Sequence, residues 1–130
     1  MTGSEAPTRV SVAAGPLVGP VLRRVVGIFA ARADLPLDRL DDAVLVADIV
    51  AARAPAHVAA ENVDVALASS WRSLDLRVGP LVHGGGSALV SDAAVPGVGN
   101  VIERLADVLE IETHGEHEFL RVRLAYSGSD

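Results

Sequence analysis

The hydrophobic period of this chain changes at Pro55, and that change restricts the folds open to it more than any other feature. Upstream, Leu37, Leu40, Val44, Ala47 and Ala51 recur at helical spacing and predict a helix over 37–53. Asp38, Asp41 and Asp42 crowd its first turns, where the helix dipole favours negative charge. Downstream, Val63, Val65 and Leu67 alternate with Asp64, Ala66 and Ala68, and Leu74, Leu76 and Val78 alternate with Asp75 and Arg77. The pattern is a β-hairpin with one covered face, turning at 69–73. A chain that switches from period 3.6 to period 2 can be neither a bundle nor a sandwich of sheets.

The same reading places a first strand over 9–13 and a first helix from Val21, apolar at Leu22, Val25, Val26 and Phe29. Residues 79–97, with Gly84-Gly85-Gly86, Pro80 and Pro96, read as a loop holding a helical turn near 88–91. Gly97-Val98-Gly99-Asn100 opens a third helix over 101–107. Strands over 108–112 and 118–126 flank a His114-Gly115 turn. The order is β-α-α-β-β-α-β-β. It predicts an α+β two-layer sandwich, with helices on one face of a mixed, mostly antiparallel sheet. One domain is expected over 9–126, between a disordered tail at 1–8 and a frayed end at 127–130.

Composition removes several chemistries. All 11 basic residues are Arg, and the 130-residue chain has neither Lys nor Cys. That excludes Schiff-base lysine chemistry, a lysine-bearing phosphate loop, disulfides and thiolate catalysis. A net charge of −6 and 3% aromatic residues argue against nucleic-acid binding by a basic face or a stacking platform. No apolar run reaches the ~18 residues of a membrane span, and the N-terminus lacks a secretory pattern. The expectation is a cytoplasmic protein that binds neither nucleic acid nor membrane. The Ala, Val and Arg excess speaks of a GC-rich genome, not of function.

Among candidate residues, Asp48 falls inside a broad apolar arc of the second helix. A carboxylate there is costly unless paired. It reads either as a site carboxylate or as a structural Asp, partnered by an Arg or set at the rim of the sheet, and the structural reading is the expected case. His114, Glu116, His117 and Glu118 share a hairpin tip that does not preorganise metal ligands, so no metal site is assigned. His57 and His83 stand alone, and no Ser has the context of a nucleophile elbow. Trp71, the one Trp, sits at a hairpin tip, where it either anchors a partner or folds back on the sheet edge. Arg23, Arg24 and Arg32 beside the first helix's stripe, with Asp38 and Asp41 on the second, form two charged edges able to steer a protein partner.

The element order, with a Gly-rich stretch before the last helix, resembles the GHKL ATPase fold of histidine kinases and gyrases. The compact form resembles the anti-sigma-factor serine/threonine kinases of bacterial stress and sporulation control. In that family the second helix carries Glu-x-x-x-Asn. The resemblance puts Asp48 at the Glu position and Ala52, which has no oxygen for Mg²⁺, at the Asn position. The family's Asp-x-Gly-x-Gly, which holds adenine, falls on Val78-Gly79-Pro80, where only Gly79 remains; Asp75 is too early. The phosphate-facing Gly-x-Gly matches Gly97-Val98-Gly99, which also reads as a tight entry into a helix capped near Asn100.

Two lost ligands imply a non-catalytic regulatory domain, resembling an anti-sigma kinase without ATP or Mg²⁺ and working by binding proteins. The partner the resemblance implies is a STAS-type antagonist or a sigma factor. One alternative is an active ATP-binding anti-sigma kinase with divergent boxes, with nucleotide touching Asp48, Gly79, Gly97 and Gly99 and Asp48 acting catalytically. Another is a structural module that homodimerises through its helices.

Overall fold

The computed structural model describes residues 7–127. The tails expected at 1–8 and 127–130 lie largely outside the described residues, so only 7, 8 and 127 of them enter the account. Strand β1 (Thr8–Ala13) is followed by helices α1 (Val18–Arg32) and α2 (Leu37–Arg53) and a 3₁₀ turn (Ala54–Ala56). The hairpin β2 (Asn62–Ser70) and β3 (Ser73–Leu81) comes next, then α3 (Gly85–Asp92). A miniature hairpin of β4 (Ala94–Val95) and β5 (Gly99–Asn100) leads into α4 (Val101–Leu105). Strands β6 (Val108–His114) and β7 (His117–Ala125) complete the chain.

The α+β expectation holds. The main sheet runs β1-β2-β3-β7-β6 and every pairing in it is antiparallel, which corrects the mixed sheet expected. The helical layer packs on one face. Val63, Val65 and Leu67 of β2, Leu74, Leu76 and Val78 of β3, and Leu120, Val122 and Leu124 of β7 are buried beneath it. Their alternation is the period-2 pattern of the sequence made physical.

Helix α1 buries Val18, Leu22, Val26 and Ala30, while Val25 and Phe29 are half-buried. It starts three residues before the expected Val21, because Pro20 falls in the first turn, where its missing N–H has no intrahelical acceptor to lose. Helix α2 has the expected bounds but is rotated. Its buried face is Ala43, Val46, Ala47, Val50 and Ala51, and Leu37 at the head of the expected stripe is 73% exposed. This face of Ala and Val packs chiefly against α1, and the larger Leu37 and Leu45 are left outside.

Four further bounds differ from expectation. The turn between β2 and β3 narrows to Trp71-Arg72, with Arg72 at φ 56°. Strand β3 continues through Gly79-Pro80, where pairing with β7 shifts register between Val78 and Leu81. A bulge is one of the few places a sheet accepts proline, since no ladder donor is needed there. Helix α3 is a full eight residues rather than a single turn, and α4 ends at Leu105.

The edge of the fold is tied by one side chain. Arg39 of α2 donates to the carbonyl of Ala125 at 3.0 Å, to Asp42 at 3.0 Å and to Asp107 at 2.6 Å. Asp107 also accepts from the backbone N–H of Ala125 at 2.7 Å.

Candidate functional site

The residues matched to the nucleotide boxes are each engaged within the fold. Arg23 of α1 donates to Asp48 Oδ2 at 2.6 Å, so the carboxylate lies at the seam between α1 and α2. Ala52, one turn further on, is exposed. Val78 is fully buried, and Asp75 points to the other face of the sheet, bonded to Arg121 at 2.8 Å.

Gly79 is buried against β7. A β-carbon there would stand 2.6 Å from Phe119 Cδ2 and 2.9 Å from the Glu118 carbonyl oxygen. The absence of a side chain is what lets Phe119 lie across β3. Gly97 and Gly99 carry φ of 82° and 96°, the first in the middle of the β4–β5 turn and the second opening β5. Asn100 caps α4 by accepting from the Glu103 N–H at 3.1 Å, and its amide donates to the Val90 carbonyl at 2.6 Å. With only five residues, α4 presents too short a run of aligned peptides to be an anion site.

The stretch that does present N–H groups to a negative charge is Gly84-Gly85-Gly86, at the start of α3. Glu118 fills it, accepting from Gly84 N–H at 2.9 Å and Gly86 N–H at 3.0 Å. Those two bonds hold the Glu118 carboxyl below its ordinary value of 4.5, and His83 at 3.8 Å adds to the effect. The sequence offered a triglycine and a Glu 32 residues later, with nothing to connect them. The connection appears only when β7 is laid beside β3.

Glu118 therefore contributes stability that is fully present above pH 4.5 and is lost as pH falls below it, because the unfolded chain takes up the proton first. Glu118→Gln is expected to lower the urea midpoint at pH 7 and to flatten the fall in stability between pH 5 and about pH 3. Urea titrations across that range check it; an unchanged acid slope would show that Glu118 is not a latch.

The face of the sheet away from the helices carries a ladder of charge that the sequence reading did not find. Arg77 and Arg121 are register partners, and Asp75 lies between them at 3.4 and 2.8 Å. Glu112 pairs with Arg77 at 2.9 Å and Glu110 with Arg121 at 2.9 Å. Hydrogen bonding from Arg77 holds the Glu112 carboxyl below its usual range, and the bonds that Arg121 donates to Asp75 and Glu110 raise Arg121 further. Alternation alone put Asp75 and Arg77 on one face, but which strand would bring Arg121 to them depended on pairing.

The candidate partner residues fall in two places. Arg24, Asp38 and Asp41 are exposed on the outer side of α1 and α2; Arg23 is spent on Asp48, and Arg32 lies 5.3 Å over the Phe29 ring. Trp71 is 71% exposed at the β2–β3 tip, with the Arg72 guanidinium 4.9 Å over its ring and 5.3 Å over that of Tyr126. The tip is docked on the end of α1 by a 2.7 Å bond from Arg72 N–H to the Ala33 carbonyl.

Among the described residues, no group of three His, Asp or Glu side chains is placed to hold a metal, and no helix is long and apolar enough to cross a membrane. Neither of two cavities, one over the open sheet face and one between β1 and α1, is lined by Asp48, Gly79, Gly97 or Gly99. No family model matches the sequence, and no curated protein matches it.

Proposed function

We propose that this domain is a non-catalytic regulator that works by binding another protein through the outer side of its two long helices. The observation that carries the reading is the Arg23–Asp48 contact at 2.6 Å. The one carboxylate on α2 that the resemblance would assign to catalysis is neutralised by a neighbouring helix, and Ala52 offers no oxygen to a metal. The filling of the triglycine by Glu118 points the same way, since a second anion at that helix start would have to displace the first.

The outer faces supply what a partner needs. Arg24 on α1 and Asp38 and Asp41 on α2 are exposed and make no ion pair among the described residues, and Leu45 stands among them 44% exposed. Opposite charges on adjacent helices steer a partner of matching pattern and fix its register. A STAS-type antagonist or a sigma factor is the partner that the resemblance implies, in the cytoplasm of a bacterium.

Two measurements on the full chain test this. Thermal unfolding with Mg-ATP or Mg-ADP is expected to match the ligand-free curve. A ligand at a hundredfold its dissociation constant would add roughly 2.7 kcal/mol, a shift of several degrees, and such a shift would restore the kinase reading. Affinity capture from the native host is expected to return a protein partner whose association slows with Arg24→Glu. A stable homodimer with no heterologous partner would favour the structural module instead.

A further inference from the structure

We infer that the open face of the sheet carries a binding site for an aromatic monocarboxylate, in the groove above Ala66. This inference is independent of the protein-binding reading, which uses the opposite layer of the fold.

Strand register builds the groove. Arg9 of β1, Ala66 of β2 and Arg77 of β3 stand in one row across the sheet. All three side chains point away from the helices, because Val65 and Leu67 on either side of Ala66 are buried beneath them. A methyl group between two long cationic side chains leaves a gap in the row. In the next row Ser11, Asp64 and Gly79 are partners, and Phe119 lies over Gly79 to close one end. The His114 ring meets Phe119 edge-on, with centroids 5.4 Å apart, and extends that wall. The groove is open on its outer side and has a volume of about 740 Å³, within the range of small-ligand sites.

The two guanidiniums are not equivalent. Arg77 is anchored by Glu112 of β6, with Nε at 2.9 Å and Nη2 at 3.4 Å, so its guanidinium is drawn toward β6 while the residue still lines the groove. The Arg9 guanidinium makes no hydrogen bond or ion pair among the described residues. A planar carboxylate can take a bidentate bond from Arg9. The attached ring would then lie in the gap over Ala66, beside the stem of Arg77 and against Phe119, where edge contacts favour an aromatic body.

Asp64 sets the charge of the ligand. It holds the Ser11 hydroxyl at 2.7 Å and leaves one carboxylate on the lining beside Arg9 and Arg77. Glu112 already meets the charge of Arg77, so Arg9 is the one cation left to a ligand, and it matches a single carboxylate. A phosphate dianion meets Asp64 as a like charge.

The test is titration of the full chain with 2-naphthoate, followed by backbone amide NMR shifts. Saturable shifts at Arg9, Ala66 and Phe119 are expected, with binding weakened about tenfold or more by Arg9→Ala. Ala66→Leu, which fills the gap, is expected to abolish it, and 2-naphthalenemethanol, the neutral counterpart, to bind about tenfold more weakly than 2-naphthoate. If Ala66→Leu does not fold, Ala66→Val replaces it. The inference is overturned by shifts that do not saturate at millimolar 2-naphthoate, by equal affinity in the Arg9 and Ala66 variants, or by inorganic phosphate binding the groove as tightly.

Discussion

Gly79→Ala is expected to destabilise the fold by about 1–3 kcal/mol, and Gly79→Val by more. The added β-carbon would stand 2.6 Å from Phe119 Cδ2 and 2.9 Å from the Glu118 carbonyl oxygen. The two neighbours differ in what they can give. The Phe119 ring can swing toward solvent, but the Glu118 carbonyl belongs to the backbone of β7, and moving it pulls on the pairing of β3 with β7 near their register shift. Combining Gly79→Ala with Phe119→Ala is therefore expected to recover only part of the loss. Urea unfolding of the two single variants and the double variant closes the cycle. Full recovery in the double variant would show that the ring alone required the glycine. A resemblance based on motif spacing assigns Gly79 to nucleotide approach. The packing gives it a reason to be glycine without any ligand.

How much could be read in advance depended on whether the information was local. The bounds of α2, the two hairpins and the α+β layering all follow from period and punctuation, and these are properties of neighbouring residues. The face of α2 was not legible, because apolar residues occur around most of its circumference. Leu37, Leu45 and Ile49 compete with Ala43, Val46 and Val50, and the outcome depends on how α2 meets α1, which no local pattern encodes. Strand β3 was cut short at Gly79 because Gly-Pro is normally punctuation, and only the bulge against β7 makes it tolerable. Of the candidate site, a structural role for Asp48 was legible, but not its form: the carboxylate is partly exposed at the seam of α1 and α2, paired with Arg23. The Glu118 latch, the Arg77–Asp75–Arg121 ladder and the groove over Ala66 did not follow from anything local. Each joins residues that strand order and register bring together, and neither quantity is written in the spacing of one segment.

Arg39 is the clearest case of such a non-local device, and its removal is expected to be nearly as costly as the Gly79 change. In the sequence it is one basic residue among Asp38, Asp41 and Asp42. In the fold its side chain is only 17% exposed and joins α2 to the last strand and to the α4–β6 connection through Ala125, Asp42 and Asp107. Arg39→Met keeps the apolar stem and removes the guanidinium. The Ala125 carbonyl loses a charged donor, while Asp42 and Asp107 recover water, since both are partly exposed. The loss is therefore expected near that of one or two charge-assisted hydrogen bonds, roughly 1.5–3 kcal/mol. Asp107→Ala removes the Arg39 contact and the bond from the Ala125 N–H together. The two variants share a partner, so their costs should not add: the double variant is expected to be less destabilised than the sum of the singles. Hydrogen exchange at the Ala125 amide supplies a local readout, with faster exchange expected in Asp107→Ala than in Arg39→Met. Additive stabilities together with equal exchange in both variants would mean that Arg39 and Asp107 act separately, and that the end of β7 is held by its ladder with β3 and β6 alone.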